Sequence, residues 1–75
     1  MIQDEYFKQT VKITDVDGET WTGKVEMITS PADSDSGERE LAVSYNGGLL
    51  LFRESEIKGI ELYKQPENIK YEKEQ

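Results

Sequence analysis

Apolar and polar residues alternate with a two-residue period along much of this chain, which is the signature of strands with one face buried. Val11-Lys12-Ile13-Thr14-Asp15 is one such run. Trp21, Gly23, Val25 and Met27 mark one face of a second, from Glu19 to Ile28. Between them lies Val16-Asp17-Gly18, and the pattern itself selects the hairpin register. A two-residue Asp-Gly loop would set Val11 against Lys24 and Thr14 against Trp21, apolar against polar. A three-residue loop, with Gly18 left-handed in a bulge, pairs Ile13 with Trp21, Val11 with Gly23, Gln9 with Val25 and Phe7 with Met27. In the second register three of the four pairs make a core face, and that register is preferred.

The stretch from Ser30 to Gly37 is rich in Ser, Asp and Pro, lacks periodicity and reads as a flexible surface loop. Strand character returns from Glu38 to Tyr45, with Leu41, Val43 and Tyr45 on one face. Asn46-Gly47 then signals a type I′ hairpin into Leu49-Leu50-Leu51-Phe52. This fourth strand is apolar on both faces, as a strand is when it is covered on two sides, by a barrel interior or by a neighbouring subunit. Arg53 to Glu56 suits one tight turn, and Ile57 to Tyr63 resumes strand character. The expectation is therefore an all-β domain of five strands over residues 1–63, with Met1 to Tyr6 long enough for one helical turn. Residues 64–75 carry as many Lys as Glu and read as a mobile polar tail, or a short helix from Pro66.

At 75 residues the chain has room for one domain with a modest core, a size that gains from self-association. It has no Cys and no His, and its net charge is −7. These absences remove disulfides, Ser-His-Asp and Cys-His nucleophiles, and zinc sites built from N and S ligands. A carboxylate pair acting as acid and base would need a partly desolvated cleft, which a barrel this small rarely builds. No enzymatic activity, catalytic residue, cofactor or metal is expected. Asp33-Ser34-Asp35-Ser36-Gly37-Glu38 alternates acids as calcium loops do, but Glu38 stands where such a loop needs glycine and Ser44 where it needs the bidentate Glu. No segment has the pattern of a leader peptide or a bilayer span, so the expectation is a cytoplasmic protein with no membrane partner.

The layout of a long second strand with an internal glycine, a variable loop, a tight hairpin and a one-turn connection into a last strand resembles Sm-like (LSm and Hfq-type) small barrels, whose architecture is SH3-like. Val11-Lys12-Ile13, Asp17-Gly18 and Gly23-Lys24-Val25 look like the first Sm motif. Ile57-Lys58-Gly59 followed by Leu62 resembles the second, so that the likeness spans Gln9 to Tyr63. It implies a strongly bent five-stranded barrel, with Lys58 and Gly59 at the family's nucleotide pocket. The pocket's Asp and Asn slot falls at Thr29-Ser30-Pro31, with Asp33 displaced and no Asn, which makes Thr29, Ser30, Asp33, Lys58 and Gly59 the candidate RNA or partner contacts of a degenerate pocket. The resemblance also implies that the fourth strand pairs with the fifth of the next subunit, making Leu49, Leu50, Leu51, Phe52, Ile60 and Leu62 the candidate self-association edge.

Three functions follow as expectations: a self-associating interaction or scaffold module that engages a protein partner, an RNA-binding homo-oligomeric ring, or a monomeric SH3-like adaptor for extended peptides. Acidity disfavours RNA, because affinity for phosphate backbones comes from Lys and Arg. Trp21 and Phe52 are candidate stacking platforms, although Trp21 opposite Ile13 is better read as core.

Overall fold

The computed structural model describes residues 1–63, and the tail expected from Lys64 onward, including its helical start at Pro66, lies outside them. Five antiparallel strands form one sheet: β1 (Thr10–Asp15), β2 (Thr20–Thr29), β3 (Glu40–Tyr45), β4 (Gly48–Arg53) and β5 (Ile57–Leu62). Their order is β4-β3-β2-β1-β5, so β4 and β5 are the edges and the sheet is not closed. Three short 3-10 turns complete it, at Asp4–Tyr6, Pro31–Asp33 and Glu54–Glu56. The first is the helical turn expected near the N-terminus.

Turn chemistry sets the registers. Asp15 N–H donates to Glu19 O and Gly18 N–H to Asp15 O, which closes a three-residue loop with Gly18 at φ 88°. Ile13 accordingly faces Trp21, and Val11 faces Gly23. Asn46 and Gly47, at φ 49° and 82°, form the left-handed pair that a type I′ turn requires, and Tyr45 opposes Gly48.

β2 serves two partners in succession, its first half pairing with β1 and its second with β3. The changeover lies at Gly23 to Met27. A Cβ placed on Gly23 would overlap the Ser44 carbonyl oxygen of β3, so glycine is demanded by the close approach of two backbones rather than by a left-handed φ. Just beyond, the β2–β3 register slips between Val25 and Met27. One extra residue in a strand exchanges its faces. Met27 therefore turns outward and is half exposed, and Ile28 takes its place against the core.

The expected pairing of Phe7 with Met27 is overturned by this bulge and by a second irregularity in the preceding segment. Lys8 adopts φ 67°, and its N–H, rather than that of Gln9, donates to Val25 O, while Val25 N–H donates to Gln9 O. Phe7 is thereby swung out of the sheet, 48% exposed, with the Lys8 ammonium 5.4 Å from its ring centre.

The core is one cluster: Val11 and Ile13 from β1, Val25 from β2, Leu41 and Val43 from β3, Phe52 from β4 and Ile57 from β5. Ile2 joins it at 4% exposure. The segment before β1 thus lies across the core rather than merely forming a turn, anchored by Ile2 N–H donating to Glu54 and by Arg39, which donates to Ile2 O and to Asp4. The loop expected to be flexible between Ser30 and Gly37 is tied by one hydroxyl: Ser34 Oγ donates to Glu38 O at 2.7 Å and accepts from Gly37 N–H at 3.0 Å.

Gly23→Ala is expected to destabilise the fold by about 3 kcal/mol, the scale of overpacking against an immobile backbone. Gly59→Ala, where a Cβ meets nothing within 4 Å, should stay within about 1 kcal/mol of the parent. Urea unfolding of both variants checks the contrast, and equal midpoints would contradict the close-approach explanation.

Candidate functional site

The two sheet edges follow from the registers. Hydrogen-bonding pairs alternate along an antiparallel ladder. The two-residue turn makes Tyr45 and Gly48 a bonded pair, so Gly48, Leu50 and Phe52 turn their backbone groups toward β3 while Leu49 and Leu51 turn theirs to the open side. On β5, Tyr63 N–H donates to Thr10 O, and the same alternation leaves the backbone groups of Ile60 and Leu62 facing outward. Leu49, Leu51 and Leu62 are also exposed as side chains, at 59%, 60% and 55%. Of the six residues expected at a self-association edge, four have open backbone groups. Phe52 instead belongs to the core, and Leu50 is half buried against it.

The expected pocket residues are not gathered in the same way. Thr29 ends β2 opposite Glu40, and Ser30 Oγ donates to Asp33 Oδ2 at 3.2 Å across the following turn. Lys58 and Gly59 lie on β5, across β1 from β2, with Lys58 exposed at a bulge between the Thr14–Gly59 and Asp15–Ile57 pairs. No hydrogen bond or ion pair among the described residues joins Lys58 to Thr29, Ser30 or Asp33.

A different set of side chains meets where the β1–β2 turn, the β2–β3 loop and the turn before β5 converge. Val16 N–H donates to Glu56 O, and Ser55 donates to Glu38 through both its N–H and its hydroxyl. Glu56 accepts from Arg53 N–H at 2.9 Å and from its guanidinium at 3.0 Å, closing the connection between β4 and β5. These bonds hold the Glu56 carboxyl below its ordinary range, the backbone N–H contributing most, and in turn raise Arg53. Residues 1–63 hold 13 acids and six bases, which accounts for the whole −7, and acids dominate this end.

Asp15 organises the end. Its Oδ1 accepts from the N–H groups of Asp17 and Glu19, and its Oδ2 from the Trp21 indole, each at 2.9 Å. The indole bond chiefly, then the Glu19 N–H, lowers its pKa from the ordinary value. Trp21 does face Ile13 but is only half buried, lying edge-on to Tyr45 at 5.4 Å and tilted against Phe52 at 6.3 Å. The indole is therefore a rim of the core rather than a free stacking platform. An Asp opening an Asp-x-x-Gly turn was visible as turn chemistry, but its second role toward Trp21 depends on the hairpin twist.

Among the described residues no three acidic side chains come close enough to hold a metal ion, and no helix is long and apolar enough to cross a membrane. No protein-family model, curated protein or solved structure matches this chain.

Asp15, Glu26, Glu54 and Glu56 are all held below their ordinary values, Glu26 by the Lys8 ammonium and Glu54 by the Met1 ammonium and Ile2 N–H. Depressed folded values contribute stability above about pH 4, where the unfolded groups ionise, and that stability is lost as pH falls through the folded values. Trp21 emission should hold steady from neutrality to about pH 5 and change below it. In Asp15→Asn the emission should already be altered at neutral pH and the acid limb shallower. Superimposable profiles would show that Asp15 does not control the indole.

Proposed function

We propose that this domain is a non-enzymatic interaction module of the Sm-like kind that associates with further copies of itself through β4 of one copy and β5 of the next. The supporting observation is the pair of open edges. Each has two residues whose backbone groups are unpaired among the described residues, Leu49 and Leu51 on β4 and Ile60 and Leu62 on β5, and Leu49, Leu51 and Leu62 add exposed apolar side chains while Ile60 packs partly against the core. An exposed edge of this composition is an aggregation hazard unless something covers it. A second copy supplies the complementary edge, and the contact is head to tail, so it forms a ring if the rotation closes.

The strand order, with β4 and β5 outermost and a single turn between them, agrees with the resemblance to Sm-like barrels, in which these two strands make the ring contact. Protein rather than RNA is the favoured further partner. Lys58 is the one base on β5, and the excess of acids in residues 1–63 opposes the counterion-release term on which RNA affinity depends.

Sedimentation at micromolar concentration should give a mass several times that of the chain. Leu62→Pro places proline where the N–H faces the open edge, so the fold tolerates it while the next copy loses a donor. That variant and Leu51→Lys should sediment as folded monomers. A strictly monomeric parent chain would overturn self-association.

A further inference from the structure

The outer face of β2, β3 and β4 carries an apolar stripe that does not belong to the core. Met27 opposes Ala42 and Ala42 opposes Leu51, so the three side chains lie in a row across the sheet. Ala42 is only 3% exposed between its neighbours, whereas Met27 and Leu51 are 49% and 60% exposed. Leu51 stands at the junction of two depressions of about 490 and 220 Å³, which share it and Glu56. The larger is flanked by Asp35 and Glu40, the smaller by Val16 and Asp17. Among the described residues Arg53 is the one base lining either, and it is paired with Glu56 at 3.0 Å. Asp17 and Asp35 accept no side-chain hydrogen bond among the described residues, so their charges face outward unneutralised.

We infer that this surface is a docking site for a basic segment of a partner protein, in which an aliphatic side chain rests on Leu51 and Val16 while lysine or arginine side chains reach Asp17, Asp35 and Glu40. This deepens the interaction-module reading and rests on it. Charge complementarity identifies the occupant: an apolar contact ringed by acids rejects acidic segments and nucleic acid and attracts cations, while Leu51 supplies the contact that bare charge lacks. Much of the site is held rigid. The Val16 N–H bond to Glu56 O fixes the turn against the β4–β5 connection, and the Asp15 bonds fix the turn itself. Little ordering is required on binding.

The test uses the full chain and fluorescence anisotropy with a short labelled peptide containing two leucines among lysines and arginines, beside the same peptide with glycine for leucine. The leucine peptide should bind, and the glycine peptide about tenfold more weakly, as expected for loss of a buried aliphatic contact. Val16→Ser, at a position off the β4 edge, should remove much of that difference. Asp17→Asn with Asp35→Asn should weaken binding about fivefold at low salt and less at high salt. Glu5→Gln with Glu61→Gln makes the same change in net charge at exposed positions that line neither depression and should leave affinity within about twofold.

Equal weakening by the two charge pairs, equal affinity for the two peptides, or no binding at all would each overturn the proposal. All the variants replace exposed side chains, and circular dichroism confirms the fold of each. Sedimentation of the same samples separates the two readings. An associating chain that binds neither peptide overturns the docking site alone, and a monomer that binds the leucine peptide selectively overturns self-association alone.

Discussion

The structure depends on the place where β2 passes so close to β3 that no side chain fits at Gly23. There the Ser44 carbonyl occupies the space of a Cβ, and the strand changes partner from β1 to β3. Ten residues of one strand can then hold both halves of the domain in one sheet. The bulge between Val25 and Met27 follows immediately and decides which side chains face the core from there on. In a regular strand Val25 and Ile28 would face opposite sides, and the bulge is what lets both reach the cluster that includes Val11, Ile13, Leu41 and Phe52.

A sheet rolled this way around a small core ends in two edges, and the chain manages them unequally. At the β4–β5 connection Glu56 takes the Arg53 N–H, which terminates the open ladder on that side. Along the rest of β4 no group among the described residues answers the outward groups of Leu49 and Leu51, and the corresponding groups of β5 are equally open among them. The charged groups gather elsewhere, around the turn organised by Asp15 and the connection organised by Glu56. The domain thus carries edges suited to strand pairing and an acidic end suited to cations, and the two meet at Leu51. This arrangement is the physical basis of the interaction reading.

Most of the strand plan was legible because local rules and burial agreed. The alternation of Val11 and Ile13, the Gly18 turn and the Asn46-Gly47 turn each point to the register found. The failures share one cause. Periodicity assumes an uninterrupted strand, and a bulge adds a residue without leaving a mark in the hydrophobic pattern, so Met27 was assigned to the face that Ile28 occupies. Lys8 in a left-handed conformation displaced Phe7 in the same silent way. Among the candidate edge residues, Leu49 and Leu51 drew notice because an apolar strand needs a cover, whereas Ile60 and Leu62 were named through the resemblance. Leu50 and Phe52 were not separable from Leu49 and Leu51 until the two faces of β4 were known. Thr29, Ser30 and Asp33 were grouped with Lys58 by the resemblance alone, and the sheet order sets β1 between β2 and the strand that carries Lys58.

By itself, the amino-acid sequence determined the five strands, the two left-handed turns, the absence of His and Cys chemistry and the acidic balance, because each is a property of residues a few positions apart or of composition. Tertiary structure alone decided that Ile2 is core, that Gly23 answers to a carbonyl of another strand, that Asp15 holds an indole, and that Leu51 stands among acids from three separate segments. Each depends on how strands and turns come together in space, and close backbone packing at a single glycine is not written in any local pattern.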